Sequence, residues 1–228
     1  SECYIYDYIL SGEIPSDIGN LVELRNLILT WSELNGEIPP SIVNLTNLTE
    51  LKLHYNQLTG EIPIGLGNMT NLTDLYLREN QLTGEIPTDI WGLVNLNRLF
   101  LEYNELSGEI PETFGDLVNL SYCNLKHNQF SGQIPESIGN FENMIGLSLA
   151  HNQLSGIIPD SICNLVENSN SIYLYGNQLC PPYPECLSEE QLNGSWQTGG
   201  GEEDEQDTSE CEEDPQIGDE CVTQDGWI

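Results

Sequence analysis

The sequence predicts a solenoid of stacked parallel coils, and three regularities predict it. A Gly followed two residues later by Ile-Pro recurs at Gly12, Gly36, Gly60, Gly84, Gly108, Gly132 and Gly156, in steps of 24 residues. Leucines recur at fixed offsets inside each step, and an Asn closes the leucine pair at Asn56, Asn80, Asn104, Asn128, Asn152 and Asn177. A fixed period of this size means units that stack on their neighbours instead of folding round one central core. With Gly as position 1 the unit reads G-x-I-P-x-x-I-x-x-L-x-x-L-x-x-L-x-L-x-x-N-x-L-x, and Gly36 to Thr59 is a clean copy.

Each part of the unit has a physical reading. Leu51-x-Leu53 alternates, so both leucines point inward from a short strand while Lys52 and His54 point outward. An inward Asn at each bend can bond the backbone groups that a tight coil leaves unpaired, which makes the asparagines a ladder. Ile-Pro opens the return segment, where proline fixes φ and removes a donor, so no central strand runs there. At the ends the pattern decays. Residues 2 to 11 fit the last half of a coil with Cys3, Ile5 and Leu10 inward, and Tyr8 and Ser32 replace the ladder Asn, which predicts two irregular first bends. The last coil has 25 residues, and beyond it Cys180 and Cys186 bracket PPYPE, a short loop that a disulfide between them would close into a cap.

The segment L-x-x-L-x-L-x-x-N-x-L is the leucine-rich-repeat signature. With L-T/S-G-x-I-P added, the unit resembles the plant-type subclass found in receptor ectodomains and polygalacturonase inhibitors, over about residues 2 to 180. The resemblance implies a right-handed leucine-rich-repeat solenoid of 24-residue coils, with a parallel concave β-sheet, a short second strand over L-T-G-x-I, and 3₁₀ turns on the convex side. Eight coils at a strand spacing of ~4.8 Å give a stack roughly 40 Å long. The expected domains are residues 1–187, the solenoid with its disulfide cap, and residues 188–228, an acidic and mostly disordered tail. The absence of an initiator Met and a signal sequence points to a processed or truncated product.

Composition excludes several functions. A net charge of −32, from 37 acidic against 5 basic residues, is wrong for nucleic acid, which needs clustered Lys and Arg. No apolar run approaches the ~20 residues that cross a bilayer. Repeats together with seven cysteines suit an oxidising compartment, so the expected location is extracellular or the cell surface. Six N-x-S/T sequons occur, at Asn44, Asn47, Asn68, Asn71, Asn119 and Asn193. Five of them fall at positions 9 or 12, where a glycan would leave the concave face open; the alternative is that N-L-T is simply what this repeat produces. Residues 202 to 225 carry twelve acids and no base, the composition of a solvated spacer. Cys211 and Cys221 are expected to pair there. A calcium loop in the same stretch lacks the regular D-x-D-x-D-G spacing. Cys123 and Cys163 read as buried thiols.

Sorting residues by face locates a candidate site. Positions 15, 17, 19 and 20 project from the concave strands, and they hold Lys52, Arg78, Arg98 and Lys126, four of the five basic residues. All three histidines, His54, His127 and His151, are there, with Trp31, Phe100 and eight of ten tyrosines: Tyr4, Tyr6, Tyr55, Tyr76, Tyr103, Tyr122, Tyr173 and Tyr175. Strand propensity explains part of this bias, but an exposed aromatic strip marks a binding surface. Lys52, His54, Tyr55, Tyr76, Arg78, Arg98, Phe100, Glu102, Tyr103, Tyr122 and Lys126 are the expected ligand-binding residues, beside a small-residue patch at Gly146, Ser148 and Ala150. Rings interleaved with charged groups suit a protein, an extended peptide or a glycan, and the bases favour an anionic group locally.

Two further ladders run along the side. Glu13, Glu37, Glu61, Glu85 and Glu109 occupy position 2, and Ser11, Thr59, Thr83, Ser107, Ser131 and Ser155 occupy position 24. The first reads as a solvated edge, with divalent-cation bridging the alternative. Hydroxyl ladders are what ice binding requires, as in some plant relatives of the family, although the charged neighbouring column argues against it. Catalytic motifs are absent, and His127, His151 and nearby Glu102 do not make a metal set, so neither enzyme activity, cofactor nor metal is expected. The expected function is an extracellular recognition module, within a larger surface assembly or alone. The alternatives are a structural surface or matrix protein with a cation-binding acidic tail, and ice binding through the Ser/Thr ladder.

Overall fold

The computed structural model describes residues 2–5, 10–166 and 171–194, the side chains of 2–5 excepted. These form a solenoid with two sheets of eight parallel strands each. The concave sheet contains Glu2–Ile5, Asn26–Leu29, Glu50–Lys52, Asp74–Tyr76, Arg98–Phe100, Tyr122–Asn124, Gly146–Ser148 and Ser171–Tyr173, each strand paired with that of the next coil. The second sheet runs from Ser11–Glu13 to Gln178–Cys180, and 3₁₀ turns such as Thr88–Gly92 follow each Ile-Pro on the convex side. The core is a stack of leucine and isoleucine layers; Leu51, Leu53, Leu58, Leu75 and Leu77 are completely buried. Alternation in L-x-L therefore does what its period requires.

The asparagine ladder is built as the spacing implies. Asn80 donates through Nδ2 to the carbonyls of Leu77 (3.0 Å) and Leu53 (3.1 Å), and its Oδ1 accepts the Leu58 N–H at 3.0 Å. Asn56, Asn104, Asn128, Asn152 and Asn177 repeat this bridge between neighbouring coils. Where Ser32 stands in the ladder, the bend keeps its shape. Trp31 has φ 53°, like its counterparts, and the Ser32 hydroxyl donates to the Thr30 carbonyl at 3.3 Å. The expected irregularity is absent there; Tyr8 lies outside the described residues.

In the second sheet the glycine is obligatory twice over. Gly36, Gly60, Gly84, Gly108 and Gly132 have φ between 73° and 90°, and an added Cβ would lie 2.7–2.9 Å from Cγ of the position-2 Glu one coil earlier. The stems of the acid ladder thus pack on the next coil's glycine, which L side chains with a Cβ cannot allow. Register in this sheet is offset by two residues from that in the concave one: Glu37 pairs with Thr59, Glu61 with Thr83 and Glu85 with Ser107. Thr59, Thr83, Ser107 and Ser131 each lie level with a carboxylate of the preceding coil, so the Ser/Thr column does not form an uninterrupted array.

The C-terminal cap differs from expectation. Cys186 is bonded to Cys163, with Cα atoms 5.6 Å apart, and not to Cys180, which is itself disulfide-bonded. A separation of 23 residues is about one coil, and residues one coil apart are neighbours in a solenoid. Cys163, on the convex side, therefore lies beneath the cap loop instead of being a free thiol. Cys123 is a buried free thiol, pushed well up in pKa by burial. Residues assigned to the tail also belong to the cap. Helix Glu189–Asn193 opens with a Ser188/Gln191 capping box, buries Leu192, and accepts the Leu174 N–H at the Gln191 carbonyl (2.9 Å). The pair Cys211–Cys221 and the acidic tail lie outside the described residues.

Candidate ligand-binding face

Four columns run along the concave sheet, one for each outward position. The in-register pairs Asp74↔Arg98, Tyr76↔Phe100 and Arg98↔Tyr122 put the side chains of adjacent coils next to each other. At position 17 Tyr76 and Phe100 pack with ring centroids 4.7 Å apart. Position 20 forms a second aromatic row, where Trp31 stacks on Tyr55 (3.7 Å), Tyr103 on His127 (4.4 Å), and His127 on His151 (4.1 Å). All the residues of this row from Trp31 to His151, Glu79 included, have φ of 51–57°. Non-glycine residues rarely adopt this conformation, and here it directs six side chains to one rim. The sequence carried one signal for it: Gly176 fills the same column in the last coil with φ 67°.

Between the two aromatic rows lies column 19. His54 touches the rings of Tyr55 and Tyr76, each at 5.6 Å, and the Arg78 guanidinium lies 5.2 Å from the Tyr55 ring and 5.9 Å from that of Phe100. Glu102 comes next. The strand pattern predicts an exposed carboxylate, but only 3% of the residue is exposed. Its Oε1 accepts from Arg78 Nη1 at 3.2 Å, and Lys126 of the next coil lies over the Tyr103 ring at 5.1 Å. Burial pushes the Glu102 carboxyl above its usual pKa, against the pull of Arg78 and Lys126. His54 is lowered to about 4 by burial and by the adjacent Arg78 and Lys52, so it is neutral at pH 7. Three buried polar atoms in this column have no partner: His54 Nδ1, Arg78 Nε and Glu102 Oε2.

Two of the three other bases on the face are paired with acids too, and Lys126 lies against the Tyr103 ring. Lys52 Nζ meets Glu50 at 2.7 Å, and Arg98 Nη1 meets Asp74 at 3.2 Å. Glu50 and Asp74 were absent from the sequence-derived set, although both share the concave face with their partners. The centre is therefore locally neutralised, which removes the argument for an anionic ligand. Tyr122 lies over Gly146, where an added Cβ would come within 3.3 Å of its ring, and Ser148 and Ala150 are buried, so the small-residue patch is a floor between rings. Tyr6, and the side chain of Tyr4, lie outside the described residues. The five sequon asparagines Asn44, Asn47, Asn68, Asn71 and Asn119 are exposed, off the concave strands. Asn71, Asn95, Asn119 and Asn143 line a polar flank groove of about 640 Å³ with Thr73, Asn97 and Ser121.

Comparison with known proteins agrees with this architecture. Models described as leucine-rich repeats match residues 46–89, 95–117, 119–141 and 143–165. No curated protein matches the chain. Among solved structures, it is similar to the leucine-rich-repeat ectodomain of the Arabidopsis receptor kinase HAESA, solved in complex with an N-terminally extended IDA peptide hormone. The two are 33% identical with a TM-score of 0.76, over 87% of this chain and 32% of that one, so this chain spans about a third of that ectodomain. A pollen receptor kinase 3 structure is 32% identical, TM-score 0.63, over 72% of this chain and 78% of the other. A plant ice-binding protein is 28% identical, TM-score 0.56, over 78% and 73%. Period, ladder, paired sheets and these likenesses agree: the chain belongs to the plant-type leucine-rich-repeat family.

Proposed function

We propose that this chain is an extracellular recognition module that holds an extended peptide along its concave face. The observation that carries the reading is the walled trough, with column 19 between the Tyr76/Phe100 row and the Trp31-to-His151 row. Rings offer contact area at little entropic cost. The second row spans six coils, about 24 Å at ~4.8 Å per coil, which is the length of about seven extended residues. The resemblance to an ectodomain crystallised with a peptide hormone supports the same class of ligand. Glycans at the exposed sequons would leave the trough clear, and we propose that at least the position-12 sites are used where the protein is secreted. A random-peptide display selection on the wild-type protein, beside a glycan array, tests the reading. Enrichment of linear peptides is expected; a protein that binds glycans and no peptide overturns it.

Ice binding is a second reading, favoured by the likeness to a plant ice-binding protein. The alternation of Thr59 and Thr83 with Glu37 and Glu61 in register weighs against it. Thermal hysteresis lost in Thr59→Ala/Thr83→Ala would establish it.

A further inference from the structure

The Arg78–Glu102 pair is an imperfect match between its members. Arg78 approaches Glu102 with Nη1 alone, at 3.2 Å, and its Nε and the second carboxylate oxygen, Oε2, are left buried without partners. A guanidinium presented end-on to a carboxylate makes two parallel hydrogen bonds. Arg78 rises from the coil adjacent to Glu102 and meets it through a single nitrogen, so this two-point contact is not made. Everything else a guanidinium needs is in place: the Tyr55 and Phe100 rings flank the charge at 5.2 and 5.9 Å, and a buried acid lies beneath it.

Resting on the peptide-recognition reading, we propose that Arg78 occupies in the free protein the seat of an arginine side chain of the ligand, and that the ligand's guanidinium displaces it to bind Glu102 through both oxygens. An incoming chain from above the sheet can take the end-on approach that Arg78 does not make. The released Arg78 side chain, already partly exposed, extends into solvent beside Glu79 of the same coil. Lysine would fill the seat less well, because an ammonium offers no planar fork. Charge also favours a basic ligand. The four acids Glu50, Asp74, Glu79 and Glu102 offset the four bases of the face, while the whole chain carries −32, a field that draws cations toward it.

The test uses arginine-containing peptides from the display selection, with each Arg replaced in turn by Lys or Gln, on wild type, Glu102→Gln and Arg78→Gln. An arginine seat predicts that one Arg position dominates, that Arg→Gln in the peptide or Glu102→Gln in the protein weakens binding by about tenfold or more, and that Arg78→Gln tightens it by removing the internal competitor. A merely structural Arg78 would give unchanged or weaker binding. Such a result, or selected peptides without an essential Arg, overturns the seat. Peptides that still depend on Tyr76 and Phe100 would at the same time leave the recognition reading standing. Melting temperatures of both variants separate loss of fold from loss of contact, and Arg78→Lys, which keeps the charge, provides a second folded comparison.

Discussion

Asn104 bonds the carbonyls of Leu101 and Leu77 at 3.0 and 3.1 Å and takes the Leu82 N–H at 3.0 Å, so a single side chain satisfies three backbone groups in two coils. Asn104→Ala would strand the Leu82 N–H, while the Leu77 and Leu101 carbonyls keep Asn80 and Asn128 as donors, and the expected loss is about 2 kcal/mol of unfolding free energy in urea titration; a loss below about 1 kcal/mol would mean that water replaces the ladder. His54 gives a pH signature. Its pKa of about 4 lies below its unfolded value near 6.5, so as pH falls from 6.5 toward 4 the unfolded chain takes up a proton that the folded chain refuses. Stability contributed by neutral His54 is present above pH 6.5 and lost across that window. His54→Gln should flatten this part of the melting-temperature profile, and the His54 ring resonances should titrate near pH 4. The ladder was legible because one residue type recurs in step with the leucines. The left-handed column at Trp31, Tyr55 and Tyr103 was not, because aromatic residues argue for ordinary strand backbone and only Gly176 hints otherwise. The burial of Glu102 was equally hidden, since alternation assigns a side chain to a face and says nothing of what Arg78 covers.

At the scale of elements, each coil is closed by groups one period away, and sequence distance misleads wherever that is overlooked. Only five residues lie between Cys180 and Cys186, yet the bond runs 23 positions back to Cys163, because one coil of chain returns to nearly the same place. Peptide mapping without reduction should recover the Cys163–Cys186 cross-link. Cys163→Ser should cost about 3 kcal/mol, the scale for a loop of this length. The second sheet teaches the same lesson. Its glycines and acids were read as two independent columns, but the Glu61 stem lies on Gly84, whose φ is 76°. Gly84→Ala should therefore destabilise by more than 1 kcal/mol, with part of the loss relieved in Gly84→Ala/Glu61→Ala, as a double-mutant cycle would show.

Across the whole molecule, repetition made the solenoid legible in the sequence, and it sorted the chemistry by face. The pairing of charges within that face needed the structure, since Lys52, Arg78 and Arg98 each meet an acid on the sheet. A neutralised trough inside a strongly acidic chain should draw basic peptides quickly, with association slowing as salt rises. The central claim is that the ligand lies in the trough and not along the side ladder. Calorimetric titration of one selected peptide against wild type, Tyr76→Ala/Phe100→Ala and Thr59→Ala/Thr83→Ala tests it most directly. The account predicts that the aromatic pair loses about 2 kcal/mol or more of binding free energy while the threonine pair matches wild type; undiminished binding by the aromatic variant, with loss in the threonine variant, would contradict it.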